Sequence, residues 1–252
     1  LNDGVFVDNE EEEYRTGDYR KGKYGKAAYL DGTKAIKIDD LILDVAIVDE
    51  ESFSISLWFT EEWLSGAPGI YQCLVGAVAS DARDSWGIQR AFTMKEMHFR
   101  TNANFPSMPI VTYKLYDDTD YYNNIPGGWI IEGGNAETWH HIVGVADSKT
   151  GIYTLYVDGV SVSRNNTKLA DRGNKMMIGD NPDVRGRNWH GKVCEVGFWN
   201  RALNRNEVSH IYNSKTSLGD MIKISAPKKK EQQAPKTSTT QPSGSLNSGL
   251  SE

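Results

Sequence analysis

The residues of this chain best suited to bind a ligand fall in three stretches. Between Tyr113 and Trp129 the sequence gathers Tyr116, Asp117, Asp118, Asp120, Tyr121, Tyr122, Asn123, Asn124 and Trp129. Flat aromatic faces beside carboxylates and amides suit a pyranose, whose apolar side stacks on a ring while its hydroxyls take hydrogen bonds. The segment lacks alternation and contains Pro126-Gly127-Gly128, so it reads as a long loop of the kind that carries function or moves. A second aromatic and cationic loop runs Arg185-Gly186-Arg187-Asn188-Trp189, and a third spans Trp63 to Tyr71. From these, the expected ligand-binding residues are Tyr116, Asp118, Asp120, Tyr121, Tyr122, Asn124, Trp129, Arg187 and Trp189.

Hard cations such as calcium take loop carboxylates, amides and carbonyls as ligands. Asp180-Asn181-Pro182-Asp183, Asp117-Asp118-Thr119-Asp120 and Asp31 offer that chemistry, although Asp and Asn also favour turns for their own sake. The first cluster places two carboxylates and an amide in one short loop, so Asp180, Asn181 and Asp183 are the expected metal ligands, with Ca2+ the one cofactor foreseen. His140-His141 cannot chelate a single ion from an extended strand, where neighbours face opposite sides. His98, His190 and His210 lack ligand spacing, and no Ser-His-Asp set or phosphate-cradling glycine loop is legible.

Retaining glycosidases need an acid and a nucleophile about 5 Å apart on one face. No Glu-x-Asp-x-x-Glu spacing occurs; Glu61-Glu62 and similar adjacent pairs would diverge in a strand. No enzymatic activity is expected.

The elements that must position these residues are strands. Trp139-His140-His141-Ile142-Val143-Gly144-Val145, Tyr153-Thr154-Leu155-Tyr156-Val157-Asp158-Gly159-Val160 and His190 through Leu203 alternate large apolar with polar residues at a spacing of two. Asp147-Ser148-Lys149-Thr150-Gly151 and Asp158-Gly159 supply hairpin chemistry between them. The order of these runs, with Gly25 to Gly32, Phe53 to Phe59, Trp86-Gly87-Ile88 and Met177-Ile178-Gly179 upstream or between, resembles the laminin-G-like branch of the concanavalin A-like jelly rolls. The resemblance covers about residues 22 to 214. It implies an all-β fold, a two-sheet antiparallel β-sandwich with one short C-terminal helix. The family holds glycan-binding modules, adhesion domains, glycosidases, lyases and virion or filament components, so function must come from the site.

Asn204 and Glu207 have capping-box spacing and start that helix. The expected domain plan is an acidic N-terminal arm over 1–22, the jelly roll over 23–214 and a low-complexity extended tail over 215–252. The Glu10 to Glu13 run cannot pack, and the Gln-, Pro-, Ser- and Thr-rich end has too little apolar surface to offset its ordering entropy.

At 252 residues and 38% hydrophobic the chain can bury one sizeable core. Its net charge of -6 disfavours nucleic acid, and no window of about 18 apolar residues exists for membrane insertion. Cys73 and Cys194 are expected as buried free thiols. The functional expectation is a non-catalytic carbohydrate-binding or adhesion module, extracellular, secreted or surface-exposed, with a glycan or glycoconjugate as partner. The alternative is a structural subunit of a virion or extracellular filament, contacting other copies through residues 1–24 and 225–252.

Overall fold

The computed structural model describes residues 5–7, 13–14, 17–38, 52–62, 71–78, 85–91, 96–101, 109–114, 138–165, 175–182 and 185–225. Their strands form two antiparallel sheets. The first contains β1 (Val5–Val7), β2 (Glu13–Tyr14), β5 (Ala35–Ile38), β7 (Tyr71–Val78), β8 (Ser85–Ala91), β9 (Glu96–Thr101), β10 (Pro109–Lys114) and β14 (Lys175–Ile178), ordered β10-β9-β8-β7-β14-β5-β1-β2. The second contains β3 (Tyr19–Lys21), β4 (Lys26–Asp31), β6 (Phe53–Phe59), β11 (His140–Asp147), β12 (Ile152–Val157), β13 (Val160–Asn165) and β15 (His190–Trp199), ordered β13-β12-β11-β6-β15-β4-β3.

Alternation along β6 explains the layers. Phe53, Ile55, Leu57 and Phe59 point inward and meet Trp86, Ile88, Phe99, Leu30, Tyr153 and Leu155 in one buried cluster. Rings interlock there, with Phe53 5.0 Å from Trp86 and Phe99 edge-on to Tyr153 at 5.2 Å, adding orientation to the area term. The opposite side of β6 is filled as well. Ser54 donates its hydroxyl to the Arg201 carbonyl, while Trp58 stacks on Tyr212, so all seven residues of the strand are buried.

The cover on that outer face is helix α1 (Arg205–Asn213). Asn204 accepts from the N–H groups of Asn206 and Glu207, and the Glu207 side chain accepts from the Asn204 N–H, completing the capping box foreseen in the sequence. Val208 then packs against Val143, Val145, Tyr156 and Leu203. A second helix, α2 (Leu218–Ser225), begins where the Glu195 carboxylate accepts from the Leu218 N–H at 2.5 Å. Glu195 holds φ at 53° beside an irregularity in the β15–β6 register, which turns its side chain to that helix end. Burial pushes its carboxyl up, against the pull of the Leu218 hydrogen bond.

Two expectations about the ends differ from this structure. Residues assigned to an arm over 1–22 join both sheets: β1 pairs with β5 and β2, β3 pairs with β4, and Val7 is buried with Ala35 and Met177. The apolar run Val5-Phe6-Val7 is short in sequence beside the acidic run that follows it. The tail assigned from 215 likewise starts with α2, whose Leu218 and Met221 line a surface depression beside β15. Both cysteines are free and buried, and no helix among the described residues is long and apolar enough to cross a membrane.

His141 sits beneath α1, 5.8 Å from the stacked Tyr212 ring and hydrogen-bonded through Nε2 to the Ser56 hydroxyl at 2.9 Å. Burial pushes its imidazole down from 6.5 to about 4, more strongly than Asp158 pulls it up. A folded value below the unfolded one means the folded state binds fewer protons. The resulting stability is complete above pH 6.5 and is lost as pH falls from 6.5 toward 4. Chemical unfolding at stepped pH should show a loss of about 3 kcal/mol across that window, and His141→Gln should flatten it. An identical pH slope in the variant would disprove the assignment.

Candidate functional site

Strand register brings several crossings to one end of the sandwich. In the first sheet Tyr71, Ala91, Glu96 and Lys114 form a single line across β7, β8, β9 and β10, and β14 ends at Ile178, opposite Val75. In the second, Asp31 faces His190, and Ala28, Val193, Phe59 and His140 align one step inward. The chain from Gly179 to Trp189 passes from β14 to β15, and the turn after Asp31 passes from β4 to β5, so both lines belong to one rim. The Asp158-Gly159 reversal joins it, with φ of 49° and 81°; Asp158 accepts from His140 Nδ1 at 2.7 Å and from the His141 N–H. Segment 115–139 leaves from the end of β10 and returns at the start of β11, and therefore starts and finishes at this same rim.

One buried carboxylate organises the β14–β15 loop. Asp180 accepts from the backbone N–H groups of Asn181 at 2.7 Å, Arg187 at 2.8 Å and Gly186 at 3.2 Å, and Arg185 Nη1 lies 3.4 Å away. Burial pushes this carboxyl up while the three N–H groups and Arg185 draw it down. Arg185 also contacts Met177 Sδ. The loop docks on β7 through Cys73 N–H to the Arg187 carbonyl and Gly179 N–H to the Leu74 carbonyl. Arg187 Nη1 donates to Gln89 Oε1 at 3.2 Å, so its guanidinium lies along the outer surface of the first sheet.

The same contacts weigh against calcium at Asp180. Its oxygens already accept three N–H groups, and Arg185 already provides the positive charge that a cation would bring. Asn181 is buried beside it, and Asp183 lies outside the described residues. Among the described residues no group of three or more His, Cys, Asp or Glu could hold a metal ion.

Trp189 corrects an expectation. It was assigned to ligand contact from a loop, yet its side chain is fully buried in the main core, edge-on to Phe59 at 5.4 Å, with Nε1 donating to the Thr60 carbonyl at 3.0 Å. The indole seals the sandwich end, and half-buried Arg187, not Trp189, is the loop residue that reaches Gln89 on the first sheet. Tyr116, Asp118, Asp120, Tyr121, Tyr122, Asn124 and Trp129 lie outside the described residues, as does the Trp63 to Ile70 part of the third stretch.

The structure also assembles a cluster with no local signal in the sequence. Tyr29 Oη donates to Glu62 Oε2 at 2.9 Å and lies 3.0 Å from His190 Nε2, whose ring donates from Nδ1 to the Glu62 carbonyl at 3.0 Å. Burial, then the Glu62 carboxylate, pushes the Tyr29 phenol up. The Arg20 guanidinium covers the Tyr29 ring at 3.1 Å. Among the described residues, buried Gln72 Oε1 and Asn188 Nδ2 have no hydrogen-bond partner; both residues adjoin the loop's attachment to β7 at Cys73 and Arg187.

Comparison with known proteins agrees with this architecture. The family model for the concanavalin A-like lectin/glucanases superfamily matches residues 30–209. Domain 4 of AbnA, a GH43 extracellular arabinanase from Geobacillus stearothermophilus solved with arabinotriose, superposes with a TM-score of 0.57 at 19% identity, covering 83% of this chain and 88% of that one. The binding domain of Paraclostridial Mosquitocidal Protein 1 gives 0.57 at 16% identity, covering 83% and 47%. The binding domain of Botulinum Neurotoxin DC, solved in complex with SialylT, gives 0.54 at 13%, covering 84% and 50%. The chain thus spans about half of each toxin structure. No curated protein matches the sequence.

Asp180→Ala removes the acceptor of three backbone N–H groups and strands Arg185, so thermal unfolding monitored by circular dichroism should register a loss of about 3 kcal/mol, the same with calcium as with chelator. Calcium-dependent rescue would contradict the structural role. Gly191→Ala should cost more than about 2 kcal/mol, because φ is 146° and a Cβ would collide with the Thr60 carbonyl oxygen; a variant as stable as the parent would refute the tight crossing.

Proposed function

We propose that this chain, which belongs to the concanavalin A-like lectin/glucanases superfamily, is a non-catalytic carbohydrate-binding or adhesion module, secreted or surface-displayed, whose rim receives a glycan. The observation that carries this is convergence. The crossing that bears Arg187 and both attachment points of the aromatic-rich 115–137 segment occupy one end of the sandwich. Loops carried on a rigid scaffold, with stacking rings and convergent hydrogen-bonding groups, suit a polyhydroxylated ligand. The same architecture was solved with arabinotriose in domain 4 of AbnA and with SialylT in the neurotoxin binding domain, which supports the ligand class.

Four described rim acids, Asp180, Asp31, Asp158 and Glu62, are engaged in holding the protein, which supports binding over catalysis at those positions. Asp180 gathers the β14–β15 loop, and Asp31 accepts from Thr33 and Lys34. Asp158 closes the β12–β13 turn onto His140, and Glu62 accepts from Tyr29.

Calorimetric titration against a panel of neutral and acidic oligosaccharides, with and without calcium, should detect binding at millimolar concentration or tighter. Arg187→Ala should weaken it about tenfold, the loss of one charge-assisted hydrogen bond. No heat across the panel would overturn the proposal.

A further inference from the structure

Far from this rim, a second concave surface lies where α1, α2 and the end of β15 meet. It has a volume of about 550 Å³, and its lining includes Trp199, Asn206, His210, Ile211, Leu218 and Met221. A neighbouring depression of about 610 Å³ shares Arg201, Leu203 and Asn204 with it and extends past Asn200 to Lys149 and Ser52. Both volumes fall within the range of small-molecule sites, and the shared residues make them one stepped groove.

Trp199 is placed as a platform. A Cβ at Gly197 would lie 2.5 Å from Trp199 Cη2 and 2.6 Å from Leu218 Cδ2, so the missing side chain is what lets the six-membered ring lie back along the strand beside Leu218. The indole is half-buried, packed on the Val143, Val145 and Tyr156 cluster, and it lines the groove. Planar polar groups surround it in fixed positions. Arg201 donates to both Glu207 oxygens at 2.8 Å and from Nη1 to the Ala202 carbonyl at 3.3 Å, and Glu207 Oε2 also accepts from the Asn204 N–H, so the Nε and Nη2 side of the guanidinium and the remaining carboxylate lone pairs face a ligand. Asn206 and His210 stand exposed at the mouth.

We propose that this groove is a second carbohydrate-binding site, taking a linear oligosaccharide with one ring stacked on Trp199 and the next running past Arg201 toward Asn200 and Lys149. An aromatic face ringed by amide, guanidinium and imidazole groups matches the apolar side and hydroxyl edge of a pyranose or furanose. Two joined depressions match more than one sugar unit. The ten residues of β15 separate His190 at the rim from Trp199 at the groove by about 30 Å, so both ends can be occupied together and can bridge separate chains of a glycan surface. The ligand class rests on the rim proposal; the location does not.

The test uses the full chain labelled with 5-fluorotryptophan, the Trp199 signal being assigned from Trp199→Phe. It is titrated with arabinotriose and with α- and β-linked glucotrioses, followed by fluorine NMR and calorimetry. The Trp199 resonance is expected to shift with at least one probe, to need about tenfold more sugar in the exposed double variant Asn206→Ala with His210→Ala, and to respond unchanged in Arg187→Ala. A Trp199 signal that stays still while calorimetry shows binding that Arg187→Ala weakens about tenfold overturns the groove alone. Silence in both readouts overturns the groove, and with no heat across the neutral and acidic panel it overturns the rim as well. A shift that depends on protein concentration without sugar assigns the groove to a second copy of the chain and overturns the carbohydrate assignment.

Discussion

Burial of β6 on both faces is the constraint from which the other arrangements follow. Its inward rings build the aromatic core, and its outward Ser54, Ser56 and Trp58 lie under α1 and Tyr212. A strand enclosed in this way leaves no open surface in the middle of its sheet. In the proposed function, ligand binding is displaced to the two ends of the sandwich, where loops and helix termini present side chains without disturbing the core. The rim at His190 and the groove at Trp199 are the two ends of the neighbouring strand, β15.

The rim also shows how one carboxylate can gather a loop. Asp180 draws three N–H groups and an arginine around one buried carboxylate, an arrangement that a bound cation and its ligands achieve in other proteins. Burying that charge is costly unless every acceptor site is filled, which is why the loop wraps so closely around it. The fold does not dictate this solution, and likeness at under 20% identity carries architecture, not loop chemistry.

Much of the architecture was legible because period-two alternation is a direct consequence of sheet geometry. Phe53, Ile55, Leu57 and Phe59 announce their inward face, and Asn204 with Glu207 announces a helix start. The site was less legible, for physical reasons. Trp189 follows Arg185, Gly186, Arg187 and Asn188, a run that looks solvated, but the last residue before a strand can turn inward and plug the core. Tyr29, Glu62 and His190 are separated by 33 and 161 positions from Tyr29, so only the register of β4 with β15 and the extension of β6 unite them. Val5-Phe6-Val7 and Leu218 to Ser225 were masked by the charged and low-complexity sequence beside them, which dominates any composition average.

The state of the two thiols has a practical corollary. Cys73 lies buried near the Ile88 carbonyl, and burial pushes Cys194 up to about 11, far from the thiolate form that exchanges disulfides. No covalent cross-link contributes to the cohesion of the described sandwich, which therefore matures without an oxidant or an isomerase. A reductant such as dithiothreitol therefore meets no bond in the described sandwich that it could cleave.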